Sequence, residues 1–130
     1  MIRKINVIAG LVWLDGRVLI GQRAEEKHGG LWEFPGGKLE KGETPRLCLQ
    51  RELKEELGIN AEIGELFLES NWLVGDKEIV LKTYQVKSFT GDPTTLVHRE
   101  LSWRKPVELQ KEFFLPADRP VVEKLSSLSD

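Results

Sequence analysis

The stretch Gly37–Ile59, GKLEKGETPRLCLQRELKEELGI, decides how this chain is read. Thr44 followed by Pro45 is a helix start: a hydroxyl side chain suits the N-cap, and proline suits the first helical position. Gly58 suits the position just past a helix end, where the left-handed conformation is common. The pair of signals predicts a helix over 45–57. Leu49, Leu53 and Leu57 recur every four positions and form one stripe to bury. Residues of a helix advance by about 100°, so Glu52, Glu55 and Glu56 share one narrow face, roughly 110° from the leucines. Three like charges this close repel one another. Oxygen ligands converging on one point are what Mg²⁺ requires, or Mn²⁺ in its place, and a cation removes the repulsion. Arg51 lies four residues before Glu55 and can hold a carboxylate through a two-pronged pair. Gly36 and Gly37 let backbone come close to phosphate oxygens, and Lys38 adds a cation there. Charge spacing alone leaves a second reading open: a solvated acidic helix with incidental arginine pairing.

Working outward, Ile5–Leu14 is rich in β-branched and apolar residues and reads as a strand. Asp15-Gly16 is a two-residue hairpin signal, and 17–22 is the returning strand. The polar stretch 24–30 reads as a loop, 31–34 as a short strand stopped by Pro35-Gly36-Gly37, and 38–43 as a charged loop. Beyond the helix, 61–71 and 78–88 read as strands joined across Gly75-Asp76, with a turn at Gly91-Asp92-Pro93. Residues 101–103 read as a further strand and 106–111 as a short helix. A last helix opens near Ala117-Asp118-Arg119-Pro120 and runs to about Leu128, with Asp118 as its N-cap candidate. Strands on both sides of one central helix, and a closing helix, predict an α/β fold: one domain over 1–130, with a mixed β-sheet between helices. No G-x-G-x-x-G opens a helix, so a dinucleotide fold has no support.

Whole-chain properties narrow the function classes. A chain of 130 residues is long enough for one core. Its 40% hydrophobic and 31% charged composition is that of a folded domain. The net charge of −2 offers no general field toward duplex nucleic acid or anionic lipid. One cysteine, Cys48, excludes an internal disulfide and fits a reducing, cytoplasmic setting. No apolar run approaches the roughly 20 residues of a membrane helix, and no leader peptide is expected.

The spacing Gly37, five residues, Glu43, seven residues, then Arg51-Glu52-Leu53-Lys54-Glu55-Glu56-Leu57-Gly58-Ile59 matches every defined position of the Nudix box, G-x5-E-x7-R-E-U-x-E-E-x-G-U, where U is bulky and aliphatic. The chain therefore resembles the Nudix hydrolases. The segment Gly30–Lys38, GLWEFPGGK, and the closing Leu115-Pro116-Ala117-Asp118 are similar to the MutT-like and CTP pyrophosphohydrolase-like subfamily. The resemblance implies an α/β/α sandwich. It implies metal ligands at Glu52, Glu55, Glu56 and the Gly37 backbone, with Glu43, Gly58 and Arg51 supporting the box. It also implies Mg²⁺-dependent hydrolysis of a nucleoside triphosphate to monophosphate and pyrophosphate, with a box carboxylate accepting a proton from water. Glu52 and Glu55 are the favoured pair for that task.

For the substrate, the resemblance points to Arg23 and Lys38 as phosphate contacts, each also readable as a surface cation. Trp32 and Phe34 share one strand face, so Glu33 points the other way and is a candidate polar contact. Phe34, Trp72 and Tyr84 are candidates to stack on a base, although each also suits a core. Relatives that prefer oxidised guanine carry asparagine where this chain has Asp118. An ionised Asp118 offers acceptors only, which suits guanine N1–H and N2–H₂ or cytosine N4–H₂. Many relatives carry an acidic residue at the position of Val97; here the box works without it, or Glu100 substitutes. His98 reads as a loop or packing histidine outside the site. The expected partner is a nucleoside triphosphate such as dGTP, 8-oxo-dGTP, CTP or dCTP, for a monomer or homodimer that binds neither duplex nucleic acid nor membrane. The alternatives are hydrolysis of triphosphorylated RNA ends and a binding module without catalysis.

Overall fold

The computed structural model describes residues 1–24 and 29–128, so part of the loop expected over 24–30 lies outside the described residues. In chain order the strands are β1 (Arg3–Leu11), β2 (Trp13–Leu14), β3 (Arg17–Gln22), β4 (Trp32–Glu33) and β5 (Gly36–Lys38). Helix α1 (Pro45–Leu57) follows, then β6 (Asn60–Val74), β7 (Lys77–Thr90), β8 (Glu100–Arg104) and helix α2 (Arg119–Leu128). Short 3₁₀ turns occupy Pro106–Lys111 and Pro116–Asp118.

The central sheet has the order β5-β1-β7-β6. Strands β1 and β7 are parallel, while β1–β5 and β6–β7 are antiparallel, which makes it the mixed sheet expected. Alternation along β1 divides the core between its two faces. Ile8 and Val12 turn to α1 and join Leu49, Leu53, Leu57, Tyr84 and Val86. Ala9 and Leu11 turn to the opposite side, toward Leu81, Phe34, Phe114 and the α2 residues Val121, Val122 and Leu125. The sheet thus lies between two helices. Leu49, Leu53 and Leu57 are completely buried, each contributing about 1.5–3 kcal/mol of apolar burial.

Local chemistry sets the boundaries of α1. The Thr44 hydroxyl accepts from the Leu47 amide at 3.2 Å, Pro45 opens the helix, and Gly58 closes it at φ 73° with its N–H on the Lys54 carbonyl. Asp15 and Gly16 both take positive φ, 51° and 74°, forming the tight turn between β2 and β3.

Three features differ from the expectations. First, Pro35-Gly36-Gly37 ends β4 but does not end strand structure, because Gly36–Lys38 pairs with Val7–Ala9 of β1. Glycine suits this crossing: a Cβ on Gly36 would overlap the Ile8 carbonyl oxygen. Second, β3 centres a separate antiparallel sheet, with β8 on one side and β2 and β4 also paired to it. Strand patterning reports that a segment is extended, not which partner it takes. Third, Asp118 does not cap α2. It ends the 3₁₀ turn before the helix, and its carboxyl accepts from the Phe34 amide, 84 positions away in the chain, at 3.3 Å. Among the described residues, no helix is long and apolar enough to cross a membrane.

Candidate active site

Strand β5 runs beside the acidic face of α1, and the contact requires glycine. A Cβ on Gly37 would overlap the Glu52 carboxylate, so the backbone at 37 and the Glu52 oxygens share one small space. The Gly36 N–H donates to Glu56 Oε1 at 3.2 Å, tying the strand to the last turn of the helix.

Arg51 organises the remaining carboxylates. Its Nη1 lies 2.6 Å from Glu52 Oε1 and 3.2 Å from Glu55 Oε2. Its Nε and Nη2 take the two oxygens of Glu43 at 2.7 and 2.9 Å, and Nη2 reaches the Lys38 carbonyl at 3.3 Å. These bonds hold the Glu43 carboxyl down at about 2, assisted by the Glu40 amide. They push the Arg51 guanidinium still further above its ordinary range.

Glu52, Glu55 and Glu56 share the predicted face but do not meet at one point. Among the described residues no three metal-binding side chains are gathered as a ligand set. Arg51 draws Glu52 and Glu55 toward itself, whereas Glu56 turns to Gly36. The donor set still fits a divalent cation. It offers hard carboxylate oxygens close beside the Gly37 backbone. Burial, then the charges of Glu33 and Glu52, push the Glu56 carboxyl up to about 8. A cation on this face reverses that penalty by favouring the ionised carboxylate.

A cleft of about 360 Å³ opens beside this face, lined by Arg23, Glu33, Gly36, Gly37, Lys38 and Glu56, and closed by Val7, Val97 and His98. Arg23 Nη1 lies 2.8 Å from Glu33 Oε1. Lys38 is exposed at the rim. Val97 lines the cleft, while Glu100 pairs opposite Gln22 at the end of β8 and is not in the lining.

Phe34 and Asp118 are not on the cleft wall. The Phe34 ring is 2% exposed and stacks on Phe114 at 5.5 Å, so it belongs to the core. Asp118 is 5% exposed. Burial, then the Glu33 charge, raises its carboxyl well above the ordinary range, against the opposing Phe34 hydrogen bond. Burial therefore works against the ionised form on which the acceptor-only reading of Asp118 rests, while the Phe34 amide favours it. Trp72 packs partly buried against the α2-side core, and Tyr84 lies on the α1 side under Arg46. Cys48 is fully buried and its thiol is pushed up to about 11, mainly by burial, so it packs rather than reacts.

The sequence reading missed His98. Its Nε2 lies 2.9 Å from Glu33 Oε2, and its ring lies against Gly21. The spatial pairing of β3 with β8 on one side and β4 on the other brings these together; the one trace in the sequence is a glycine within a strand, which marks close approach.

The chain is similar in sequence and fold to known proteins. A model of the NUDIX domain matches residues 4–125. The chain is 39% identical to the CTP pyrophosphohydrolase of Escherichia coli K12 over 127 residues, covering 97% of this chain and 94% of that protein. It is 34% identical to the 8-oxo-dGTP diphosphatase of the same organism over 128 residues, covering 97% and 99%. The solution structure of the E. coli ORF135 protein superimposes with a TM-score of 0.90 at 38% identity, covering 98% of this chain and 91% of that one. The chain belongs to the Nudix hydrolase family.

Proposed function

We propose that this Nudix hydrolase is a Mg²⁺-dependent pyrophosphohydrolase that converts a guanine or cytosine nucleoside triphosphate and water to the monophosphate and pyrophosphate. One observation carries the reading. Glu56 of the acidic face of α1, the Gly36–Lys38 strand and the Arg23–Glu33 pair border a single cleft, so carboxylates and cations share its wall.

Glu52, Glu55, Glu56 and the Gly37 backbone would hold the divalent cation. When bound, the cation neutralises charge on the triphosphate and makes water a better nucleophile. Arg23 and Lys38 receive phosphate oxygens. Glu52 or Glu55 takes the proton from the attacking water, and Arg51 fixes the angle of both carboxylates. Glu33 accepts from the base, and Asp118, behind Phe34, adds an acceptor for guanine N1–H and N2–H₂ or cytosine N4–H₂ once the Phe34 segment opens a way to it. Sanitation of damaged nucleotides and control of a normal pool both follow from this chemistry.

Pyrophosphate release from dGTP, 8-oxo-dGTP, CTP, dCTP, 5-methyl-dCTP and ATP, with and without Mg²⁺, tests the reading. Metal-dependent turnover with a guanine or cytosine preference is expected. Failure with every triphosphate would redirect attention to RNA ends or to binding without catalysis. The variant Glu55→Gln is expected to lose turnover at an unchanged Tm; near-normal Mg²⁺-dependent activity would sink the metal-ligand assignment.

A further inference from the structure

We infer that His98 is a positioning residue that fixes the Glu33 carboxylate as an acceptor for an exocyclic amino group on the base. The inference rests on the reading of Glu33 as a base contact.

The His98 side chain is 2% exposed, and Nε2 lies 2.9 Å from Glu33 Oε2. The other oxygen, Oε1, is taken by Arg23 at 2.8 Å. One donor on each oxygen fixes the plane of the carboxyl group. With Arg23 donating to one Glu33 oxygen, the tautomer that carries N–H at Nε2 lets His98 donate to the other.

The seat for the ring is built into the second sheet. Gly21 of β3 stands opposite Glu33 of β4 on one side and Leu101 of β8 on the other. A Cβ at Gly21 would lie 2.5 Å from His98 Cδ2, so only glycine admits the ring there. The Arg99 N–H donates to the Gln22 carbonyl at 2.8 Å and anchors the chain next to the ring. Among the described residues, the buried His98 Nδ1 has no hydrogen-bond partner. An apolar ring would fill the same recess without that unpartnered nitrogen. What imidazole adds is the bond to Glu33.

The consequence is selectivity. A carboxylate held by two donors keeps only acceptor capacity toward the cleft. An exocyclic amine satisfies it, as on cytosine or guanine. A carbonyl at the same place, as on uracil, sets lone pair against lone pair.

The test compares nucleotides that differ in that amine: CTP with UTP, and dGTP with deoxyinosine triphosphate. Both kcat/KM and the Kd of the corresponding monophosphates are measured on the full chain, with Tm as the control for folding. The wild-type chain is expected to favour the amine-bearing member. His98→Phe should reduce that ratio roughly tenfold, the scale of one hydrogen bond to a charged group, and leave the amine-free nucleotide nearly unaffected. Gly21→Ala should act in the same direction by unseating the ring. His98→Gln, whose amide donor falls near the Nε2 position, should restore most of the ratio, and His98→Asn should not. The Gln and Asn pair carries the test if the Phe variant does not fold. Equal loss on both nucleotides, or an unchanged ratio, would overturn the inference, as would absence of any amine preference in the wild-type chain. Amine-dependent monophosphate binding without turnover would instead support the role of His98 and overturn the proposed hydrolysis.

Discussion

Arg51 grips Glu43 through two parallel hydrogen bonds, Nε to Oε2 at 2.7 Å and Nη2 to Oε1 at 2.9 Å. The third nitrogen of the same guanidinium, Nη1, reaches Glu52 and Glu55. One planar group therefore joins the loop before α1 to the face that carries the chemistry. Arg51→Lys keeps the charge and removes the fork. The expected result is a fall of about 10–100-fold in kcat, the usual scale for a group that orients metal ligands, with a smaller change in KM. Steady-state kinetics in saturating Mg²⁺ check this; unchanged kcat would mean that charge alone suffices.

Glu56 is a burden on the metal-free fold at neutral pH. Its carboxyl ionises near its ordinary value of 4.5 in the unfolded chain and at about 8 in the folded one. Between those values the unfolded state releases its proton first, so stability falls as pH rises and levels off above about 8. Glu56→Gln removes that term. In chelator at pH 8 the variant is expected to melt higher than the parent, by about 5 °C, and to lose Mg²⁺-dependent turnover. At pH 4 the difference should vanish. A lower Tm for the variant at pH 8 would contradict the account.

Gly37→Ala tests the closeness of β5 to α1. The added methyl group would occupy the position of the Glu52 carboxylate. The side chain must rotate away or the strand must shift, and either change displaces a proposed ligand. Activity is expected to fall at least 100-fold, since misplacement by about 1 Å already has that effect. Circular dichroism should remain that of the parent. Full activity would mean that Glu52 stands elsewhere in the working enzyme.

The central helix, its ends, its leucine stripe and its acidic face were legible in the chain itself. Each depends on groups within about four residues of one another: Thr44 with Leu47, Gly58 with Lys54, and Glu52 with Glu55 and Glu56. The box spacing carried the family for the same reason, because Glu43 and Arg51 are fixed by one loop and two helical turns. Strand positions were also readable from alternation, but their partners were not. The pairing of Gly36–Lys38 with β1 joins segments about 30 residues apart, and that of β3 with β8 joins segments about 80 apart. The pairings of β3 with β8 and β4 seat His98 over Gly21 and beside Glu33, and the bridge of Trp32 to Phe114 brings Asp118 to the Phe34 amide. Local periodicity records what each residue does to its neighbours in the chain; burial of Asp118 and the hold on Glu33 arise from residues that meet only when two sheets and two helices have packed.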